Sequence, residues 1–155
     1  MNKTSISNKN RKEIAKLLNH LLASEYVLYT KTWKFHWNVE GKHFGALHSF
    51  FDSQRHQLEE IIDEVAERVR ALDEKSDGTL TEFLEKSSLG EHPGKNPDDL
   101  GMIKLLYNDH KEIISKLHED SRYANDCNDY ATNNFLCELL EKHEKMAWML
   151  RAFLQ

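Results

Sequence analysis

The only two prolines in 155 residues, Pro93 and Pro97, fall in the interval 90–101 beside Gly90, Gly94 and Gly101, half of the chain's six glycines. Proline removes a backbone donor and glycine weakens a helix interior, so the long stretches on either side are almost free of helix breakers. Apolar residues there recur at steps of three and four, the period of an amphipathic helix, and the chain reads as all-α. A first helix is expected from about Ser7 to Trp37, burying Ile14, Leu17, Leu18, Leu21, Leu28 and Phe35. A second is expected from about Phe44 to Asp73, on Leu47, Phe50, Phe51, Leu58, Ile61, Ile62, Val65, Val69 and Leu72. A third starts near Asp98 and carries Leu100, Ile103, Leu106, Tyr107, Ile113, Ile114 and Leu117. After the polar stretch Asn125 to Asp129, a fourth carries Phe135, Leu136, Leu139, Met146, Met149, Leu150 and Phe153. The connection 75–98 is long, and Thr81-Glu82-Phe83-Leu84-Glu85 within it reads as a short helix with Thr81 as its N-cap.

No apolar run approaches the ~20 residues of a membrane span, and the first residues, Met1 to Lys9, lack the apolar centre of a signal peptide. The expectation is a cytoplasmic protein of one domain, 1–155, with a short polar and basic tail at about 1–8. Cys127 and Cys137 lack the spacing of a metal-binding pair and read as reduced thiols. A net charge of −5 opposes a generally basic nucleic-acid surface. The acidity concentrates in the second helix, where residues 44–74 hold eight Asp or Glu against three Arg.

Within this acidic helix the ligand chemistry has an unusual spacing. His48, Asp52, Asp63 and Glu67 share the helix, and fifteen residues separate His48 from Asp63. At 1.5 Å per residue that is roughly 22 Å, whereas ligands sit about 2.0–2.2 Å from a shared ion. His36, twelve residues before His48, closes the first helix, and the turn from Asn38 to His43 brings the two histidines to one corner of a hairpin. Asp63 and Glu67, at i and i+4, project from one helix face about four turns away. In a two-fold dimer the histidine corner of one subunit can meet the carboxylates of its partner, and symmetry makes two such sites. An intrachain alternative would set His20 opposite Asp63. Imidazole and carboxylate without thiolate suit Fe(II) that becomes Fe(III), with zinc able to compete for the same positions.

Four helices with one long crossover between the second and third form the ferritin-like connectivity, in which di-iron sites are ordinarily built inside the bundle from Glu-x-x-His pairs. Here that spacing occurs once, at Glu40 and His43, in the hairpin turn. The run His36-Trp37-Asn38-Val39-Glu40-Gly41, Phe44, Leu47-His48, Asp52 and Ile62-Asp63-Glu64-Val65-Ala66-Glu67-Arg68 instead resembles the signature of the Dps mini-ferritins, DNA-binding proteins from starved cells. His, Asp, Asp and Glu stand at offsets of 12, 16, 27 and 31 from His36. The resemblance spans the chain to Trp148 and is strongest over 33–72.

The resemblance implies a ferritin-like four-helix bundle assembled into a hollow shell of twelve subunits. Its ferroxidase sites would lie at two-fold interfaces, with His36, His48 and Asp52 from one chain and Asp63 and Glu67 from the other. The implied reaction is Fe(II) oxidation, preferentially by hydrogen peroxide, followed by storage of ferric mineral, which protects against oxidative stress. Trp33 and Trp37, within a turn of His36, are candidate sinks for oxidising equivalents and equally suit interface packing. Glu59, Glu60 and Glu64 are candidate nucleation carboxylates. Asp129, with Asp126 and Asp120, stands where the family places acidic three-fold pores, and Asn133 and Asn134 replace an acidic residue common there. A second role, binding DNA at the nucleoid, would rest on Lys3, Lys9, Arg11 and Lys12, with Lys16 nearby and no basic tail before Gln155.

Overall fold

The structure, a computed structural model, describes residues 6–155. Five helices account for most of it: α1 Asn8–Asn38, α2 Phe44–Ala71, α3 Leu80–Lys86, α4 Asp99–Asp126 and α5 Tyr130–Ala152. The side-chain bonds between helices fix their directions. His36 meets His48 and Tyr29 lies with Glu59, so α1 and α2 are antiparallel. Gln54 donates to the Met146 carbonyl while Arg68 reaches Asp129, so α2 and α5 are antiparallel as well. His110 meets His143 and Asn133 meets Ser121, which makes α4 antiparallel to α5. The consequence is that α2 and α4, on opposite corners of the bundle, run the same way, and two consecutive parallel helices need a long crossover. Residues 72–98 supply it, with α3 laid against α1.

Four of the five helix starts are capped by a side chain, α2 being the exception. The Ser7, Asp98 and Asp129 side chains accept the amide N–H three residues on, at 3.1, 2.7 and 3.0 Å. For α3 the cap is Thr79 rather than Thr81. Thr79 accepts from the Glu82 amide while the Glu82 carboxylate accepts from the Thr79 amide, a reciprocal capping box. Gly101 is required sterically, since a Cβ there would come within 2.8 Å of both Asp98 Oδ1 and Pro97 Cβ. Asp73 and Asn128 take φ of 63° and 61° just beyond the ends of α2 and α4, the left-handed position that closes a helix.

The expected stripes meet in one core, including Leu18, Leu28, Phe35, Phe51, Leu58, Ile103, Leu106, Leu117, Leu139 and Leu150. Three expected core members are corrected: Leu100, Met149 and Phe153 are exposed, the first in the opening turn of α4 and the last beyond the end of α5. Leu17, Phe50, Ile62, Tyr107, Ile114 and Phe135 are half-buried. Cys127 is buried and Cys137 exposed, both as free thiols. Among the described residues no helix is long and apolar enough to cross a membrane.

Candidate metal centre

At the hairpin corner the rings of His36 and His48 stack with centroids 3.9 Å apart and planes 18° apart. Each holds the other's backbone: His36 Nδ1 lies 2.7 Å from the His48 carbonyl, and His48 Nδ1 lies 2.8 Å from the His36 carbonyl. A carbonyl only accepts, so both Nδ1 atoms carry the proton and both Nε2 atoms hold the lone pair in the neutral rings. This reciprocal lock is the outer support a metal-binding histidine requires: it fixes tautomer and ring direction before any ion arrives. Phe44 stacks on the free side of His48 at 5.0 Å, and Trp37 beside His36 is 62% exposed.

Asp52, one turn beyond His48, shares its helix face. Its Oδ1 accepts from Arg55 Nε at 3.1 Å and Nη2 at 3.0 Å. The Arg55 hydrogen bond holds the Asp52 carboxyl below its ordinary range, with smaller help from the charges of His56, Arg55 and His36. His56 joins this group. Its Nδ1 donates to the Asp52 carbonyl and its Nε2 accepts from Arg55 Nη2, at 2.8 Å each.

Asp63 and Glu67 are exposed on α2. Asp63 lines an open groove of about 320 Å³ with Tyr26, Tyr29, Glu59, Ile62 and Ala66. His20, the intrachain alternative, lies toward α4, where its charge acts on Asp120. Among the described residues no three His, Cys, Asp or Glu side chains of one chain converge on a common ion position. One chain therefore carries two separated halves: two histidines with Asp52, and a carboxylate pair several turns along α2.

The other candidates divide by environment. Trp33 meets Trp37 obliquely at 4.9 Å and Tyr29 edge-on at 5.3 Å, and the Arg55 guanidinium lies 4.5 Å above its ring. A cation over the indole makes its electron harder to remove, which distinguishes Trp33 from the exposed Trp37. Glu59 bonds Arg55 and Glu64 bonds Lys142, whereas Glu60 is exposed and, of the three, makes no such ion pair among the described residues. Of the pore candidates, Asp129 is 1% exposed and fully engaged as the α5 cap, by the Thr132 amide and hydroxyl and by Arg68. Asp120 is buried against Lys116, and burial raises its carboxyl above the usual range. Asp126 is exposed. Lys3 lies outside the described residues, while Lys9, Arg11 and Lys12 sit in the first turns of α1, with Arg11 3.8 Å from Glu74.

A further histidine cluster, unread in the sequence, occupies the middle of the bundle. Glu25 from α1, His110 from α4 and His143 from α5 are all fully buried. Glu25 Oε1 lies 2.7 Å from His143 Nε2, and His143 Nδ1 lies 2.9 Å from His110 Nδ1. With His143 donating through Nε2, its Nδ1 accepts the His110 proton. His110 Nε2 and Glu25 Oε2 then remain buried without a partner. Burial pushes the His110 pKa well below its ordinary value.

An all-helical bundle of four long helices with one long crossover defines a ferritin-like architecture. The ferritin-like domain family matches residues 15–155. An uncharacterised low temperature-induced protein of Nostoc sp. is 38% identical over 97% of this chain and 84% of its own. DNA protection during starvation protein 2 of Bacillus anthracis is 35% identical over 92% and 97%. The crystal structure of a Dps protein from Vibrio cholerae O1, described as a member of a broad superfamily of ferritin-like diiron-carboxylate proteins, superposes with a TM-score of 0.92 at 26% identity over the whole of both chains. The chain belongs to the ferritin-like family and, within it, to the Dps mini-ferritins.

Proposed function

We propose that the protein is a ferroxidase and iron store whose oxidation sites are completed between two subunits. The observation that supports this best is the reciprocal His36 and His48 lock, which leaves two Nε2 lone pairs on one corner while Asp63 and Glu67 stand exposed roughly four turns away. The exposed Trp37 and Phe44 beside the corner, and the open groove beside Asp63, are surfaces a second subunit would cover. Imidazole nitrogens hold Fe(II), and the carboxylates stabilise the higher charge of Fe(III). With hydrogen peroxide as oxidant, two Fe(II) ions give up one electron each, the O–O bond breaks, and two protons from solvent complete two waters. Exposed carboxylates such as Glu60 would then receive ferric ions on the inner wall of a twelve-subunit shell. Zinc, which takes the same donors, would compete at this site.

The test is anaerobic Fe(II) loading followed by peroxide or oxygen in separate additions, with the mass of the assembly measured before and after. Rapid oxidation by peroxide in a particle of twelve chains supports the reading. Oxidation no faster than free Fe(II) in buffer removes it.

A DNA-binding role has one specific support, the relative named for DNA protection, and one candidate surface, the cations at the start of α1. Replacing Lys3, Lys9, Arg11 and Lys12 together by glutamine should then abolish low-salt duplex retardation, since phosphate binding depends on clustered cations and counterion release. Retardation that survives in the quadruple variant places the contact elsewhere.

A further inference from the structure

Arg55 is the most connected side chain near the candidate centre, yet it is not itself a ligand. Its guanidinium lies over Trp33 at 4.5 Å and donates from Nη1 to Glu59 at 3.2 Å and from Nη2 to His56 at 2.8 Å. Those three contacts hold it independently of Asp52. The arginine side chain is 11% exposed, whereas that of Asp52 is 40% exposed. The buried, many-sided partner is therefore the fixed one, and the aspartate is what it orients.

The form of the contact matters more than its charge. Arginine can pair its fork with both oxygens of a carboxylate, which would consume them both. Here Nε and Nη2 converge on Oδ1 alone. Oδ2 is left out of that grip, on a carboxylate one turn from His48 and close enough to feel the charge of His36.

We propose that Arg55 is a positioning residue for the iron site, holding Asp52 by Oδ1 so that Oδ2 is presented to the ion bound by His36 and His48. This rests on the split-site reading. A lysine would keep the charge but lose both the second donor and the flat stack on Trp33, so it should not substitute. The arrangement also gives His56 a task, since it ties the guanidinium to the backbone carbonyl of the residue being positioned.

The experiment is anaerobic titration of the assembled protein with Co(II), followed by its visible absorption, which reads ligation without turnover. Arg55→Met and Arg55→Lys should each weaken Co(II) by about tenfold, the scale of losing an outer-shell partner, and Asp52→Asn, which alters the ligand itself, by at least as much. Arg55→Met combined with Asp52→Asn should be no weaker than Asp52→Asn alone, because both changes remove one interaction. Wild-type affinity in both arginine variants, or a loss that multiplies with that of Asp52→Asn, overturns the proposal. If Arg55→Met does not assemble, the lysine variant and its double mutant decide by the same criteria. His36→Ala separates the two readings: a lost spectrum there with silent arginine variants overturns the role of Arg55 alone, whereas a wild-type spectrum in His36→Ala overturns the site and the proposal together.

Discussion

His36 and His48 meet at the end of the bundle with each Nδ1 on a backbone carbonyl, whereas His110 and His143 meet in its middle with their Nδ1 atoms on each other. Both pairs are imidazoles in contact across two helices. In the first, backbone carbonyls take up the inner nitrogens at no cost in unpaired groups, and the outer nitrogens face the surface. In the second, the hydrogen bonds run inward to Glu25 and stop, leaving His110 Nε2 and Glu25 Oε2 buried without partners. The difference teaches that a ligand-ready histidine is recognised by what its other nitrogen does. A buried polar chain serves packing specificity at a cost in stability.

The largest effect that would break this comparison comes from the interior. His143→Leu leaves the Glu25 carboxylate buried without a donor and should destabilise the folded protein by about 3–5 kcal/mol, read from denaturant midpoints at fixed subunit concentration. Replacing Glu25, His110 and His143 together by leucine should recover most of that loss, because the uncompensated charge is gone. The same kind of truncation at the corner, His36→Ala, should cost about 1 kcal/mol or less while slowing Fe(II) oxidation. Equal stability losses in the two regions would erase the distinction.

A smaller effect follows from protonation. His110 is held below its ordinary value of 6.5, so in the folded chain it stays neutral where the unfolded chain takes up a proton. The unfolded state then binds more protons, and stability falls as the pH drops below about 6.5, by up to about 1.4 kcal/mol per unit for this one group. His110→Leu should flatten the curve between about pH 6.5 and pH 5 relative to the parent. Parallel curves would show that His110 is not the group responsible.

Much of this was legible before any coordinates, and the exceptions share a cause. The corner histidines, the exposed carboxylates and the long crossover follow from spacings within a few helical turns, which sequence expresses directly. Thr79 was also within reach, because Thr79 and Glu82 make the capping-box spacing that Thr81 lacks. The Glu25, His143 and His110 chain was not, since its bonds join residues 118 and 33 positions apart and depend on the crossing of three helices. Arg55 was missed for the same reason: its role depends on Trp33 from the facing helix. Asp129 looks in sequence like a free acidic residue beside a turn, and only the approach of Arg68 from α2 reveals a buried cap.

The smallest expected effect concerns that cap. Asp129→Ala should cost about 1 kcal/mol, while Asp129→Asn, which still caps α5, should cost less. Iron entry rates in Asp129→Asn that match the parent support a structural role. A large fall in entry with unchanged stability would return Asp129 to the pore and show that burial in one chain is a poor guide to its task in the shell.

The division of the iron site between subunits is tested most directly by coexpressing His36→Ala and Asp63→Ala chains of distinguishable mass. Each homogeneous shell has every site damaged. In a mixed pair, one of the two sites combines the intact histidine corner of one chain with the intact carboxylates of the other. Random pairing therefore restores about a quarter of all sites, and the oxidation rate should rise to about a quarter of the parent's. A rate no higher than that of either homogeneous shell, with mixing confirmed by native mass, would contradict a site shared between two chains.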